Sequence, residues 1–244
     1  MSDYNAQARS IPTGRADMAV DAGLRGFMLG IYNKMALGLA LTAGLAWIVG
    51  TTPALMAAIF SGPQMYLVMF GPLAILLISS FAMRNPSPTG ANLVYWSVVA
   101  LIGVGMGALV AYYARIPDGM LIVAKAFLTT SAAFGGLSLW GYTTKRDLTG
   151  FGTFLIMGVI GLIIAMVVNM FIQSSILSFA ISAIGVLIFA GLVAFDTQRL
   201  KNMYYQLGGD QRAMSVATTY GALSLYINFI NMFQFILSLM SPRN

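Results

Sequence analysis

One carboxylate lies inside the apolar part of this 244-residue sequence. Asp196 directly follows residues 184–195, a run that contains no polar side chain. A charged group in apolar surroundings must pair with a cation, accept several hydrogen bonds or be protonated, and such residues in membrane segments are typical of functional sites. The simpler interpretation is an ion pair at a helix end with Arg199, three residues further on.

A set of polar side chains follows the last apolar segment at intervals of three or four residues. This spacing is close to the 3.6-residue repeat of the α-helix and predicts that they share one helical face. A polar stripe on a membrane helix is expected to face other helices or a wet cavity and not lipid. For most of its members, hydrogen bonding between helices is as good an interpretation as an ion pathway. The stripe consists of Tyr220, Ser224, Asn228, Asn231, Gln234 and Ser238.

Two lysines also fall within apolar segments. Lys34 lies less than two turns into the first segment, and Lys125 lies near the outer end of the fourth. We expect both side chains to extend their ammonium groups to the membrane interface. A place in an ion pathway is the alternative for both.

Several residue types are missing from the sequence. There is no cysteine and no histidine, and all seven acidic residues are aspartates. Zinc or haem sites with histidine or cysteine ligands, thiol nucleophiles and histidine-based triads are therefore excluded. An intramembrane aspartyl protease needs two facing aspartates, and the apolar segments offer one. We expect no enzymatic activity, no cofactor and no nucleic-acid partner.

The elements that must position these residues are membrane helices. The chain is 59% hydrophobic and 8% charged, with a mean hydropathy of +0.83, whereas soluble domains are about 25% charged. Its apolar stretches are continuous and close to the ~20 residues that a helix needs to cross ~30 Å of hydrocarbon. Residues 54–60 are apolar but too short to span. We predict an all-α integral membrane protein with a flexible polar tail over residues 1–26, a transmembrane domain over residues 27–240, and seven helices at about 28–50, 64–83, 91–113, 119–142, 149–171, 175–197 and 214–240.

The basic residues between these segments predict the orientation. An excess of lysine and arginine marks cytoplasmic connections. With the N-terminus inside, nine basic residues are cytoplasmic and two, Arg115 and Arg243, are on the other side. We therefore expect a cytoplasmic N-terminus, and the short tail favours a bacterial inner membrane. The nine are Arg9, Arg15, Arg25, Arg84, Lys145, Arg146, Arg199, Lys201 and Arg212.

Gly103 and Gly107 are four residues apart in the third predicted span. With Gly105 they could suggest a nucleotide-binding loop, but no strand precedes them. The GxxxG spacing instead predicts close packing against another helix.

Five phrases of the sequence together resemble one family, in order and from residue 26 to the end of the chain. The family is the Bax inhibitor-1-like (transmembrane Bax inhibitor motif) family. The phrases are GFMLGIY at 26–32, AFLTTSAAF at 126–134, GYTTKRDL at 141–148, FDTQ at 195–198 and ALSLYINFIN at 222–231.

The resemblance implies a seven-helix fold in which one helix is largely surrounded by the others. It also implies a pH-responsive cation leak, chiefly of calcium. In that family two aspartates on the sixth and seventh helices are held by an arginine at the end of the second. By motif the first aspartate is Asp196 and the arginine is Arg84, while the position of the second aspartate is Asn228.

Asn228 is a departure with physical consequences. Two nearby carboxylates titrate as a coupled pair, and an amide cannot take part, so we expect reduced pH gating. An amide oxygen can still coordinate calcium, which makes Asp196 and Asn228 a candidate for a weak calcium site. The first hypothesis is thus a calcium leak in which Arg84, Asp196 and Asn228 form a latch, with the lipid bilayer and calcium or another cation as partners.

The second hypothesis is a protein that transports nothing. Some bacterial relatives resemble modulators of a membrane-anchored protease or of membrane-protein quality control. The polar tail and the basic positions Lys145, Arg146, Arg199 and Lys201 could then form contact surfaces. Topology determination alone is the simpler interpretation of those charges.

Overall fold

A computed structural model describes the backbone of residues 13–82 and 85–241, and side chains from residue 22 onward within those ranges, Ala82 excepted. The described residues form helices and contain no strand. The helices are α1 (Thr13–Thr51), α2 (Pro53–Phe60), α3 (Gln64–Ala82), α4 (Pro88–Tyr113), α5 (Gly119–Thr143), α6 (Thr149–Ile172), α7 (Ser175–Gln206) and α8 (Gln211–Met240).

Seven of these helices are long and apolar enough to cross a membrane. The exception is α2, whose eight residues are too few to span it. The predicted all-α fold with seven spans is therefore confirmed for the described part of the chain. One difference lies in α7, which continues to Gln206 instead of ending near residue 197. Its polar last turns can remain helical because 32 residues extend ~48 Å, well beyond the hydrocarbon.

The first helix also begins earlier than the sequence indicates. Residues 1–12 lie outside the described residues, but α1 starts at Thr13, inside the region for which a flexible polar tail is predicted. Most of residues 15–25 are alanine, arginine, leucine or methionine. These residues have high helix propensity, so the apolar span extends backwards into polar sequence without a break.

Helix α8 forms the centre of the bundle. It packs against α1, α4, α5 and α7, and a larger share of it is buried than of any other span. This matches the surrounded helix that the family resemblance implies. By contrast, α3 and α6 are mostly exposed, as expected of helices that face lipid on several sides.

Capping side chains set the starts of three spans. The hydroxyl of Ser87 accepts a hydrogen bond from the Gly90 amide at 3.0 Å, with Pro88 as the first residue of α4. Ser174 caps α7 in the same way, and the Asp210 carboxylate accepts hydrogen bonds from the first amides of α8. These caps satisfy amide groups that have no partner within the helix, so the polar connections between spans determine where α4, α7 and α8 begin.

Gly103 and Gly107 are both buried against α1. A Cβ atom on Gly107 would lie 2.5 Å from Cγ1 of Val49, and one on Gly103 would lie 3.0 Å from Cα of Thr42. Neither distance is compatible with a side chain without movement of α1. The predicted packing role of this GxxxG pair is therefore confirmed.

Gly141 provides a sharper test of helix packing, because backbone atoms crowd it. A Cβ atom there would lie 2.3 Å from the carbonyl oxygen of Ala194 on α7. We expect Gly141→Ala to lower the free energy of unfolding by about 1–3 kcal/mol through overpacking. Gly136→Ala on the same helix is the control, since a Cβ atom there meets nothing within 4 Å. Unfolding of the purified protein by denaturing detergent measures both, and equal stabilities would contradict the α5–α7 contact.

Candidate functional site

Asp196 is buried where α7 meets α8, with 5% of the residue exposed. Its Oδ1 atom lies 2.8 Å from Nη2 of Arg199. Its Oδ2 atom accepts hydrogen bonds from the Ser224 hydroxyl at 2.6 Å and from the Asn228 amide at 2.7 Å. One ion pair and two hydrogen bonds thus compensate the carboxylate. We call these four residues the Asp196 cluster.

The geometry of the helices explains why these partners meet. Ser224 and Asn228 are four residues apart on α8, so their side chains lie one above the other on the same face. Both reach the same carboxylate oxygen from α8, while Arg199 reaches the other oxygen from one turn further along α7. The side chain of Arg199 is 45% exposed, and its guanidinium lies 5.8 Å from the centre of the Phe195 ring. The cluster is therefore buried on one side and open on the other.

The next residue, Thr197, connects α7 to two other helices. Its hydroxyl donates a hydrogen bond to the carbonyl of Val193 and lies 3.1 Å from the Ser138 hydroxyl on α5. Ser138 is also hydrogen-bonded to Tyr32 on α1. A chain of hydroxyl groups thus joins α1, α5 and α7 beside Asp196.

Gln198 completes a run of three buried polar residues and holds the connection between α5 and α6. Its amide group donates to the carbonyl of Arg146 at 2.7 Å, and its side-chain carbonyl accepts from the Leu148 amide at 2.8 Å. In the same connection, the side chain and backbone amide of Thr149 donate to Asp147 and hold the pKa of that carboxyl below its ordinary value. Side chains of α7 and of the first residue of α6 thus both hold this connection in place.

Arg84, the arginine predicted for the latch, lies outside the residues that the structure describes. Its neighbour Asn85 lines a cavity of about 590 Å³ together with Arg212 and Tyr220, near the start of α8. Within the described residues the cation that contacts Asp196 is Arg199, the partner proposed by the simpler interpretation of the sequence. That interpretation places the pair in solvent, whereas the carboxylate is buried and also contacts Asn228.

A smaller cavity of about 220 Å³ lies beside the exposed part of the cluster. Arg199 lines it together with Thr149, Gln198 and Asn202. These side chains offer polar contacts to a guanidinium that leaves Asp196. The cavity therefore provides space for Arg199 to move without entering hydrocarbon.

The remaining members of the α8 stripe do not all face inward. Ser238 is hydrogen-bonded to Ser182 on α7, and Asn231 donates to the carbonyl of Ile227 within α8. Gln234 is exposed, and Ser238 is exposed as well despite its hydrogen bond, which corrects the expectation that no member of the stripe faces outward. Gln234 lies six residues before the end of α8, about 9 Å in helical rise, and a long side chain can reach the interface from there.

Lys34 contacts two other helices. Its ammonium donates hydrogen bonds to Asn92 on α4 and to Thr219 on α8, the latter at 2.7 Å, and it lies 5.6 Å from the centre of the Tyr95 ring. It is half-buried between three helices, and its extension to the membrane interface stays a prediction. Asn92 and Thr219 make this position favourable for the ammonium group. The place of Lys34 along the first span does not reveal these partners, because they belong to other helices. Lys125, by contrast, is exposed.

Several hydrogen bonds between helices could not be predicted from the sequence. The hydroxyls of Thr42 and Tyr226 are 2.7 Å apart and fully inside the bundle, and the Tyr95 hydroxyl donates to the carbonyl of Lys34 at 2.7 Å. Isolated hydroxyl residues in apolar runs are the only signal in the sequence, and they do not reveal their partners. No buried side-chain oxygen or nitrogen of the described residues is left without a partner.

The cluster is poorly suited to hold a metal ion permanently. The described residues contain no group of three or more acidic, histidine or cysteine side chains that could bind one. Asp196, Asn228 and Ser224 offer one carboxylate, one amide oxygen and one hydroxyl, while calcium takes six to eight oxygen ligands. The donor set can contribute to a transient contact with a hard cation, completed by water.

Seven long apolar helices around a buried carboxylate define a polytopic helical membrane protein with a polar site between its last two spans. Residues 24–244 match the family described as "Inhibitor of apoptosis-promoting Bax1". The chain belongs to this Bax inhibitor-1 family.

Relatives align over nearly the whole chain. An uncharacterised protein of Caulobacter vibrioides is 55% identical, covering 98% of this chain and 97% of its own. An uncharacterised protein of Rickettsia prowazekii is 38% identical over 100% and 99% of the two chains. The inner membrane protein YbhL of Escherichia coli is 36% identical over 94% and 97%.

Asn228 and Arg199 are two of the three partners of Asp196, and removing each should have a different effect on stability. Asn228→Leu deprives a buried carboxylate of a hydrogen bond, and we expect a loss of about 1–3 kcal/mol. Arg199→Gln breaks an ion pair whose cation is half exposed, and we expect less than about 1 kcal/mol because solvent screens such pairs. Unfolding by denaturing detergent measures both.

Asn231→Leu is the matched control, since that amide bonds only to its own helix in the structure. A larger loss for Arg199→Gln than for Asn228→Leu would show that the ion pair, and not the α7–α8 contact, dominates the cluster.

Proposed function

We propose that this protein is a cation leak, chiefly for calcium, and that the Asp196 cluster controls it. The observation that carries the proposal is a carboxylate buried between two spans and compensated by residues from both. A charge at such a place is costly, and ionisable residues in membrane segments commonly lie on ion pathways. Hydrogen bonds alone could join α7 to α8 without a charge, so a structural role does not require Asp196.

The arrangement corresponds to a closed state. Arg199, Ser224 and Asn228 occupy both carboxylate oxygens, so a cation gains access only when at least one of them leaves. Arg199 is the partner most free to leave, because it is half exposed and borders the 220 Å³ cavity. Its departure would expose a negative charge to that cavity and attract a cation in its place.

The family resemblance assigns the latching cation to Arg84, and we retain that residue in the proposal. Two closed states can therefore be distinguished. One is the latch of Arg84, Asp196 and Asn228, and the other is the observed pair of Asp196 and Arg199. If Arg84 holds the closed state, Arg84→Gln increases flux more than Arg199→Gln does. If the observed pair holds it, the order is reversed.

The presence of Asn228 implies weak calcium contact and reduced pH gating. The amide donates to Asp196 in the closed state, and it can turn its oxygen to a cation only when that hydrogen bond breaks. A single carboxylate carries half the charge of the aspartate pair in the family pattern. A cation would therefore pass with little retention, which suits a leak.

We further propose an inner-membrane location with a cytoplasmic N-terminus. The relative in Escherichia coli is named an inner membrane protein, and the nine-to-two distribution of basic residues favours this orientation. The Asp196 cluster would then lie in the cytoplasmic half of the bundle, since α7 would run from outside to inside. No catalytic step is part of the proposal.

Flux measurements on reconstituted vesicles test this function. We expect calcium entry above that of empty vesicles for the unaltered protein. Asp196→Asn should increase total cation leak several-fold and lower the preference for calcium over potassium, because the closed state and the anionic ligand are lost together. Asn228→Asp should create a pair of carboxylates and make calcium entry depend more steeply on pH.

Asn231→Asp is the control for the added charge, because the amide of Asn231 bonds to the carbonyl of Ile227 within α8 and has no hydrogen bond to Asp196 in the structure. It should leave the pH dependence of calcium entry unchanged. Calcium entry no greater than in empty vesicles, for the unaltered protein and for all these variants, would refute the proposal.

A modulator of a membrane-anchored protease is the second candidate. The observation in its favour is the fixed connection between α5 and α6, which displays the exposed residues Lys145 and Arg146 while Gln198 and Thr149 hold the backbone and Asp147. A preordered basic surface loses little entropy when it binds an acidic partner.

Crosslinking in native membranes tests this second candidate. We expect a protease partner to be recovered with the unaltered chain and lost when Lys145 and Arg146 are both changed to Gln. Arg115→Gln, on the opposite predicted side, should retain it. Absence of any protease partner with the unaltered chain would count against this function.

A further inference from the structure

A groove runs between α1 and α5, which are bridged there by the hydrogen bond between Tyr32 and Ser138. Its larger part is a cavity of about 890 Å³. We call this part the lower groove, and its lining includes Arg25, Met28, Met35, Phe134, Gly135 and Tyr142. A second cavity of about 470 Å³ continues along the same two helices and is closed at the back by α4 and α8.

The lower groove has the length of one membrane leaflet. On α1 its lining begins at Arg25 and ends at Ala36, which is ~16 Å along a helix at 1.5 Å per residue. Half of the ~30 Å hydrocarbon core is ~15 Å. A chain that enters beside Arg25 therefore reaches the middle of the bilayer at the far end of the groove.

The lining changes from charged to apolar along this length. Arg25 is exposed at the mouth, and Tyr142 lies on the wall formed by α5. Deeper positions are mainly methionine, leucine, alanine and phenylalanine, and none of the described residues that line this cavity is acidic. A cation at the mouth and apolar side chains below it match the two parts of an anionic lipid.

Hydrogen bonds between hydroxyl groups connect the two walls of the lower groove. Ser138 is bound on one side by Tyr32 and lies within hydrogen-bond distance of Thr197 on the other. These contacts hold α1 and α5 at a distance while leaving space between them. A preformed cavity of this kind requires no rearrangement before a ligand enters.

We propose that the lower groove binds one phospholipid with an anionic headgroup, with an acyl chain between α1 and α5 and the phosphate at Arg25. Anionic lipids of the surrounding leaflet are the occupant that this charge pattern fits, since basic pockets between membrane helices bind such headgroups. The proposal concerns a binding site and is independent of whether the protein conducts cations.

Native mass spectrometry of the full-length protein in a neutral detergent tests it. Phosphatidylglycerol is the anionic probe and phosphatidylcholine the zwitterionic one. We expect the first phosphatidylglycerol to bind about fivefold more tightly than the first phosphatidylcholine. This is the gain in affinity that one basic residue near a membrane surface contributes. Arg25→Gln should remove that preference, whereas Arg146→Gln, exposed on the same predicted side but outside the groove, should retain it.

Two glycines provide a steric test that leaves charge unchanged. Gly135 lines the lower groove and its neighbour Gly136 does not, and a Cβ atom on either meets nothing within 4 Å. Both leucine variants should fold, and Gly135→Leu should weaken lipid binding at least fivefold while Gly136→Leu leaves it unchanged. Equal binding of both lipids by the unaltered protein, or equal effects of the two leucine variants, would overturn the proposal.

Discussion

The structure depends on the compensation of one negative charge in apolar surroundings. A carboxylate inside a bilayer protein costs several kcal/mol when it has neither a cation nor hydrogen-bond donors, so the packing of α7 on α8 must bring donors to Asp196. Ser224 and Asn228 satisfy this requirement because they are one helical turn apart and approach the same oxygen. The relative rotation of the two helices is therefore restricted more tightly than apolar contacts alone would restrict it.

The residues after Asp196 extend this restriction to the rest of the bundle. Thr197 turns toward Ser138 on α5, and Gln198 holds the connection between α5 and α6. Three consecutive side chains thus point to different neighbours, as a 100° step per residue requires. Any rotation of α7 that opens the Asp196 cluster would also disturb these contacts. A local change in charge can therefore alter this whole half of the bundle, which the basic residues predict to be the cytoplasmic half.

Polar groups are distributed unevenly between the inside and the outside of the bundle. Hydrogen bonds join α8 and its neighbours inside the bundle, and they involve Lys34, Thr42, Tyr95 and Tyr226. By contrast, α3 and α6 are mostly exposed. The groove between α1 and α5 is an exception, because it combines an open apolar cavity with Arg25 at its mouth. This face is where the surrounding lipid can approach the hydroxyl groups next to the Asp196 cluster.

By itself the sequence determined the seven spans, the presence of one surrounded helix through its family resemblance, and the unusual character of Asp196. Apolar runs of sufficient length have no stable alternative to a helix in hydrocarbon, and a lone acid in such a run is visible without coordinates. Only the tertiary structure decided that Asp196 contacts Arg199, Ser224 and Asn228, that Lys34 turns inward to Thr219, and that Gln234 faces outward. The choice among partners depends on the rotation and separation of neighbouring helices, and these are properties of the packed bundle that no single segment specifies.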